Sequence, residues 1–151
     1  MRHLNGGNKL SLVSSHRNAM LMNMVTSLME HGRIRTTQAR AKEARRIADR
    51  VITLSKRVPN SSLGDLEGDA LKAALVRRVH AIRLAGRWVN SKDVLQKIFT
   101  DYSDRYATRP GGYTRIYKLG KRPGDQADMV LLELITEECV PKVKTAPAAA
   151  E

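Results

Sequence analysis

Cysteine is almost absent: Cys139 is the only one in 151 residues. A single cysteine closes no internal disulfide and excludes zinc sites built from cysteine pairs, so a reducing compartment fits. Cys139 lies in an apolar run, where burial as a small hydrophobe is the economical reading. Aromatic residues make up 4%, with one Trp and one Phe, which predicts a modest, mainly aliphatic core. Long apolar runs are missing too. Met20 to Met29 is interrupted by Asn23, Thr26 and Ser27, and it has neither the length of a membrane span nor the layout of a secretory signal. The expected location is cytosolic.

Catalytic equipment is equally sparse. His3, His16, His31 and His80 stand at no metal-ligand spacing. The glycine pairs Gly6-Gly7 and Gly111-Gly112 match neither a phosphate loop nor a dinucleotide fingerprint. Ser14-Ser15-His16 is more economical as a helix cap than as a nucleophile with its base, and the carboxylates form no evident pair. These absences predict no enzyme, no metal site and no cofactor.

What the chain has is positive charge. It carries 27 Lys and Arg against 15 Asp and Glu, a net +12, which points to a polyanionic partner. Nucleic acid leads, with an anionic membrane the weaker candidate. Residues 1–50 hold ten basic residues against three acidic, residues 51–100 nine against four, and residues 101–151 eight against eight. Within the last third, 125–151 is acidic, so the positive charge runs from the N-terminus through Arg122 and then stops.

Within that span, Arg109-Pro110-Gly111-Gly112-Tyr113-Thr114-Arg115-Ile116-Tyr117-Lys118 combines paired glycines, flanking arginines and interleaved tyrosines. Glycines allow close backbone approach, and the cations and aromatics suit a phosphate backbone with a base beside it. Packing of Tyr113 and Tyr117 against a neighbouring helix is the competing reading.

Periodicity organises the rest. Residues 1–13 read as an extended basic arm, 14–138 as a single globular domain and 139–151 as a disordered tail. Ser14 or Ser15 is expected to cap a first helix that ends at Gly32. Arg33–Thr36 suits a short strand. Thr36 or Thr37 is expected to cap a second helix, with Ala44, Ile47, Ala48 and Val51 inward and a cationic outer face. A third helix follows the acidic residues Asp65, Glu67 and Asp69, with Leu71, Leu75, Val79 and Ile82 on one side. A fourth is capped by Asn90 or Ser91 and carries Val94, Leu95, Ile98, Phe99 and Tyr102. Tyr113–Leu119 and Met129–Thr136 read as an antiparallel strand pair. The order α-β-α-α-α-β-β gives an α+β domain with helices on one face of a small sheet.

Ordered pieces of this chain resemble the bacterial large-subunit ribosomal protein seventeen family. They are Met1-Arg2-His3, Ser14 to Leu21, Arg33-Ile34-Arg35-Thr36-Thr37, Ala39 to Glu43, Ile52 to Lys56, Gly111 to Ile116, Arg122-Pro123-Gly124-Asp125 and Met129 to Leu134. The resemblance spans roughly residues 1–136. It implies a two-layer fold with a three-stranded mixed sheet, and a non-catalytic constituent of the large subunit. That protein would bind ribosomal RNA near the peptide exit tunnel and touch neighbouring ribosomal proteins. The family usually carries basic residues where this chain has Leu4, Leu12 and Met22, so the phosphate contacts there are expected to be absent or replaced by apolar packing.

The residues expected on RNA fall into three groups. Arg2, His3, Lys9, His16 and Arg17 serve the arm and first helix. Arg33, Arg35, Arg40, Lys42, Arg45, Arg46 and Arg50 anchor the domain. Arg109, Gly111, Gly112, Tyr113, Arg115, Lys118 and Arg122 form a third footing. A DNA-binding architectural protein, using the second and third helices, is the main alternative; an RNA-modifying enzyme is the other.

Overall fold

The computed structural model describes residues 7–64 and 66–136. Arg2, His3, Leu4, Cys139 and the expected tail 139–151 lie outside the described residues.

Helix α1 spans Ser14–His31 and is followed by strand β1, Arg33–Thr37. Helix α2 is Gln38–Ser55 and helix α3 is Gly68–Ala85. Helix α4, Lys92–Lys97, continues through a π-helical segment, Ile98–Tyr102, into a last short helix α5, Ser103–Arg105. Strands β2, Thr114–Lys121, and β3, Asp128–Leu134, complete the domain. With the run 92–105 taken as one helix, the order is the expected one.

The ends of the helices show how far local signals reach. Gly32 terminates α1 with φ of 78°, a left-handed conformation that side chains resist, and its N–H bonds the Leu28 carbonyl at 2.8 Å. The expected serine cap does not form. The cap position falls on Val13 instead, so Ser14 and Ser15 lie inside the first turn. Thr37 holds the cap position of α2 but its hydroxyl makes no capping bond, because the residue also ends β1. Ser91 does cap α4, accepting from the Val94 N–H at 3.4 Å.

The sheet order is β1-β3-β2 and both pairings are antiparallel. The mixed sheet that the resemblance implied is therefore corrected: β1 and β2 run the same way but are separated by β3, which opposes both. Alternation puts Ile34, Leu132 and Ile116 in one inward row. Arg33, Glu133 and Arg115 form an outward row, with Arg35, Leu131 and Tyr117 beside it. Helices α1 and α2 cover the inner face. Their buried residues include Leu21, Val25, Leu28 and Met29 from α1, and Ala41, Ala44, Ala48, Val51 and Ile52 from α2. Three alanines on one stripe let α2 sit close to its neighbours.

The core is mainly aliphatic, with Phe99 and one cluster of tyrosines as its buried aromatics. Tyr106 lies 6.1 Å from Tyr102 and 5.2 Å from Tyr113, both rings tilted, a favoured aromatic arrangement. Tyr102 donates to the Met29 carbonyl and Tyr106 to the Ile135 carbonyl, each at 2.7 Å. Helix α3 departs from expectation. It buries Ala74, Ala81 and Ala85, while Leu75 and Val79 are 43% and 45% exposed. Its main partner is α2, and while Ile82 and Leu84 pack against the edge of the core, Leu75, Val76 and Val79 stay outside.

Candidate nucleic-acid interface

The expected binding residues occupy two layers. Lys42, Arg46 and Arg50 form an exposed stripe on α2, opposite its buried alanines, with Arg40 and Arg45 beside it. Arg33, Arg35 and Arg115 stand on the outer face of the sheet, which no helix among the described residues covers. A partner that engaged both sets would have to reach two sides of the domain.

Several of these cations already have acidic neighbours. Arg45 lies 3.7 Å from Asp49 and Arg46 lies 3.8 Å from Glu43. Arg50 has no ion pair among the described residues. Burial raises the Asp49 pKa more than the Arg45 charge lowers it, so this carboxyl titrates above its ordinary value.

The described part of the arm lies against α2. Glu43 accepts a hydrogen bond from the Asn8 N–H at 3.0 Å, and Arg17 Nη1 reaches the Asn8 carbonyl at 3.5 Å. Arg17 Nε is buried with no partner among the described residues. Lys9 and His16 are exposed nearby. Asn8, Gln38, Lys42 and Asp128 line a depression of about 380 Å³ at the start of α2. The first turn of that helix holds no acidic residue, so Asp128 supplies the carboxylate that lines this depression at the positive end of the helix.

The glycine-tyrosine segment is a joint between layers. Lys56, just past α2, donates to the Arg109 carbonyl and, at 3.2 Å, to the Tyr113 hydroxyl. Arg109 Nε turns back onto the carbonyls of Gly111 and Gly112, both at 3.2 Å. Tyr113 is 2% exposed and packed on Tyr106, so its ring is not presented to a base. It precedes β2 rather than belonging to it, and strand alternation does not govern its direction. Tyr117 is the exposed tyrosine, at 42%, with its hydroxyl 3.3 Å from Arg115 Nη1. Gly111 and Gly112 are exposed with nothing near the position a Cβ would take. Lys118 is exposed, whereas Arg122 is held on both oxygens of Asp125. That hydrogen-bonded pair brings the Asp125 pKa down to about 2.

Sequence reasoning missed one grouping. Arg57, Arg87 and Trp88 come together with Arg50 where α2 and α3 end. The lone tryptophan among arginines was the available signal. Among the described residues no group of His, Cys, Asp or Glu could hold a metal ion, and no helix is long and apolar enough to cross a membrane.

The Ribosomal protein L17 family profile matches residues 20–135. The large ribosomal subunit protein bL17 of Myxococcus xanthus is 52% identical over 153 residues, covering 100% of this chain and 96% of that protein. The bL17 protein of Syntrophotalea carbinolica is 48% identical, covering 97% of this chain and 82% of its own. That of Pelobacter propionicus is 44% identical, with 97% and 100% covered. With matches of this length and identity, the chain belongs to the ribosomal protein L17 family.

Proposed function

We propose that the protein is a structural constituent of the large ribosomal subunit that binds and braces its ribosomal RNA. The full-length match to bL17 proteins carries this reading. The charge supports it, because exposed cations stand on both the α2 stripe and the outer sheet face. Side chains on phosphate fix position without reading bases, so recognition falls to the shape of folded RNA. The family is structural and non-enzymatic. Membership also implies a place near the peptide exit tunnel, beside other large-subunit proteins.

Within this reading, Lys9, His16 and Arg17 hold RNA at the arm. Arg33, Arg35, Arg40, Lys42 and Arg50 hold it at the domain, and Arg115 and Lys118 hold it beyond the glycine joint. The test is co-sedimentation. The protein should remain near-stoichiometric with large subunits through a moderate-salt wash, and structured ribosomal RNA should compete for it better than duplex DNA. Recovery only in the free pool would overturn the reading.

A further inference from the structure

Arg50, Thr53 and Arg57 from the end of α2 face Leu84, Arg87 and Trp88 from the end of α3 across an open cleft of about 350 Å³. That size lies within the roughly 300–1,000 Å³ typical of small-molecule sites. Arg50, Arg57 and Arg87 are exposed, and none has an ion pair among the described residues. Their neighbours Arg45 and Arg46 on the same helix do have acidic partners. Phe99, Tyr102, Tyr106 and Tyr113 are each 2% exposed, whereas Trp88 is only half-buried. It packs against the edge of the core and leaves part of its ring at the cleft. Its indole N–H makes no hydrogen bond among the described residues.

We propose that this cleft receives one unstacked nucleotide, its base on Trp88 and its phosphates among Arg50, Arg57 and Arg87. The inference rests on the RNA-binding reading and names what one part of that surface takes. A flat indole beside guanidinium groups matches the two faces of a nucleotide, the aromatic base and the anionic backbone. Bases displaced from a fold are what proteins recognise in structured RNA, since the deep groove of the A-form helix is closed to side chains. An acidic peptide would satisfy the arginines but offer nothing to the indole.

Trp88 is the only tryptophan, so its fluorescence reports this cleft alone. The full chain is titrated with large-subunit ribosomal RNA, a fully paired RNA duplex, adenosine monophosphate, inorganic phosphate and polyglutamate, while binding is followed separately by filter retention. Ribosomal RNA should quench the emission and the other four should not. Arg57→Gln with Arg87→Gln, both at exposed positions, should abolish the quenching and lower the salt slope of binding by about one for each phosphate no longer held. Trp88→Leu should weaken binding about tenfold, the scale of one base–aromatic stack.

RNA retained on the filter with unchanged emission would overturn the cleft and leave the RNA-binding reading intact. No retention would overturn both. Equal quenching by the duplex would rule out an unstacked base. Equal quenching by adenosine monophosphate would reassign the site to a free nucleotide, and equal quenching by phosphate or polyglutamate would reduce it to a general anion site.

Discussion

Thr114 donates its hydroxyl hydrogen to Asp49 at 3.3 Å, linking the first residue of β2 to the middle of α2. Thr114 is 4% exposed, so this bond is a polar link between strand and helix, buried at its strand end. Burial is the largest influence on Asp49 and raises its pKa above 3.8, against the lowering effects of Arg45, Thr114 and the Tyr113 backbone. A raised carboxyl in the folded state means that its contribution is fully present below pH 3.8 and is lost as pH rises through the folded value. Asp49→Asn should therefore gain stability relative to the parent as pH climbs from about 4 to 7. Urea unfolding at several pH values checks this, and a parent that gains on the variant over that range would contradict it.

Lys56 should prove structural despite its charge. Lys56→Met keeps the side chain's length but leaves the Arg109 carbonyl and the Tyr113 hydroxyl without their donor. A loss of about 1.5–3 kcal/mol is expected, the range for a hydrogen bond to a charged group. Faster amide exchange at Gly111 and Gly112 should accompany it.

The two glycines should separate cleanly. Gly112 has φ of 65°, so Gly112→Ala is expected to cost about 1–2 kcal/mol of folding stability. Gly111 has an ordinary φ and open space around it. Gly111→Ala should leave the melting temperature of the free protein unchanged and weaken RNA binding if backbone approach matters there. Unchanged binding for Gly111→Ala would show that this glycine touches no RNA.

Tyr106→Phe removes the hydroxyl that donates to the Ile135 carbonyl inside the core. The expected cost is about 1–3 kcal/mol, for a buried acceptor left unsatisfied. Denaturant unfolding should show a lower midpoint with an unchanged slope.

On the α2 stripe, Arg50→Gln should reduce the salt dependence of RNA binding more than Arg45→Gln does. Arg45 shares its charge with Asp49, whereas Arg50 faces no acid among the described residues. Equal slopes for the two variants would show that the ion pair is irrelevant to RNA binding.

Much of this architecture is legible in the chain. Helical periodicity locates α1, α2 and α4, Gly32 marks the first stop, and alternation places Glu133 outward. Other features depend on what lies across the fold. Leu75 and Val79 have helical core spacing, yet α2 offers α3 only a narrow stripe, and both remain outside. Tyr113 and Tyr117 have matching strand parity, but one precedes the strand and is buried while the other is exposed. Strand direction follows from β3 lying between the others, which no local pattern announces. The cleft at Trp88 joins residues more than thirty positions apart and is visible only once α2 and α3 end together.

The central place of β3 has a consequence for biosynthesis. Every ladder in the sheet includes residues 128–134, so β1 and β2 have no strand partner until this segment has left the translating ribosome. Until then, the inward face of β1 and the apolar sides of α1 and α2 must wait without their lid. Folding of the sheet is thus tied to the emergence of β3, and a nascent chain stalled before residue 128 should remain protease-sensitive across Arg33–Thr37.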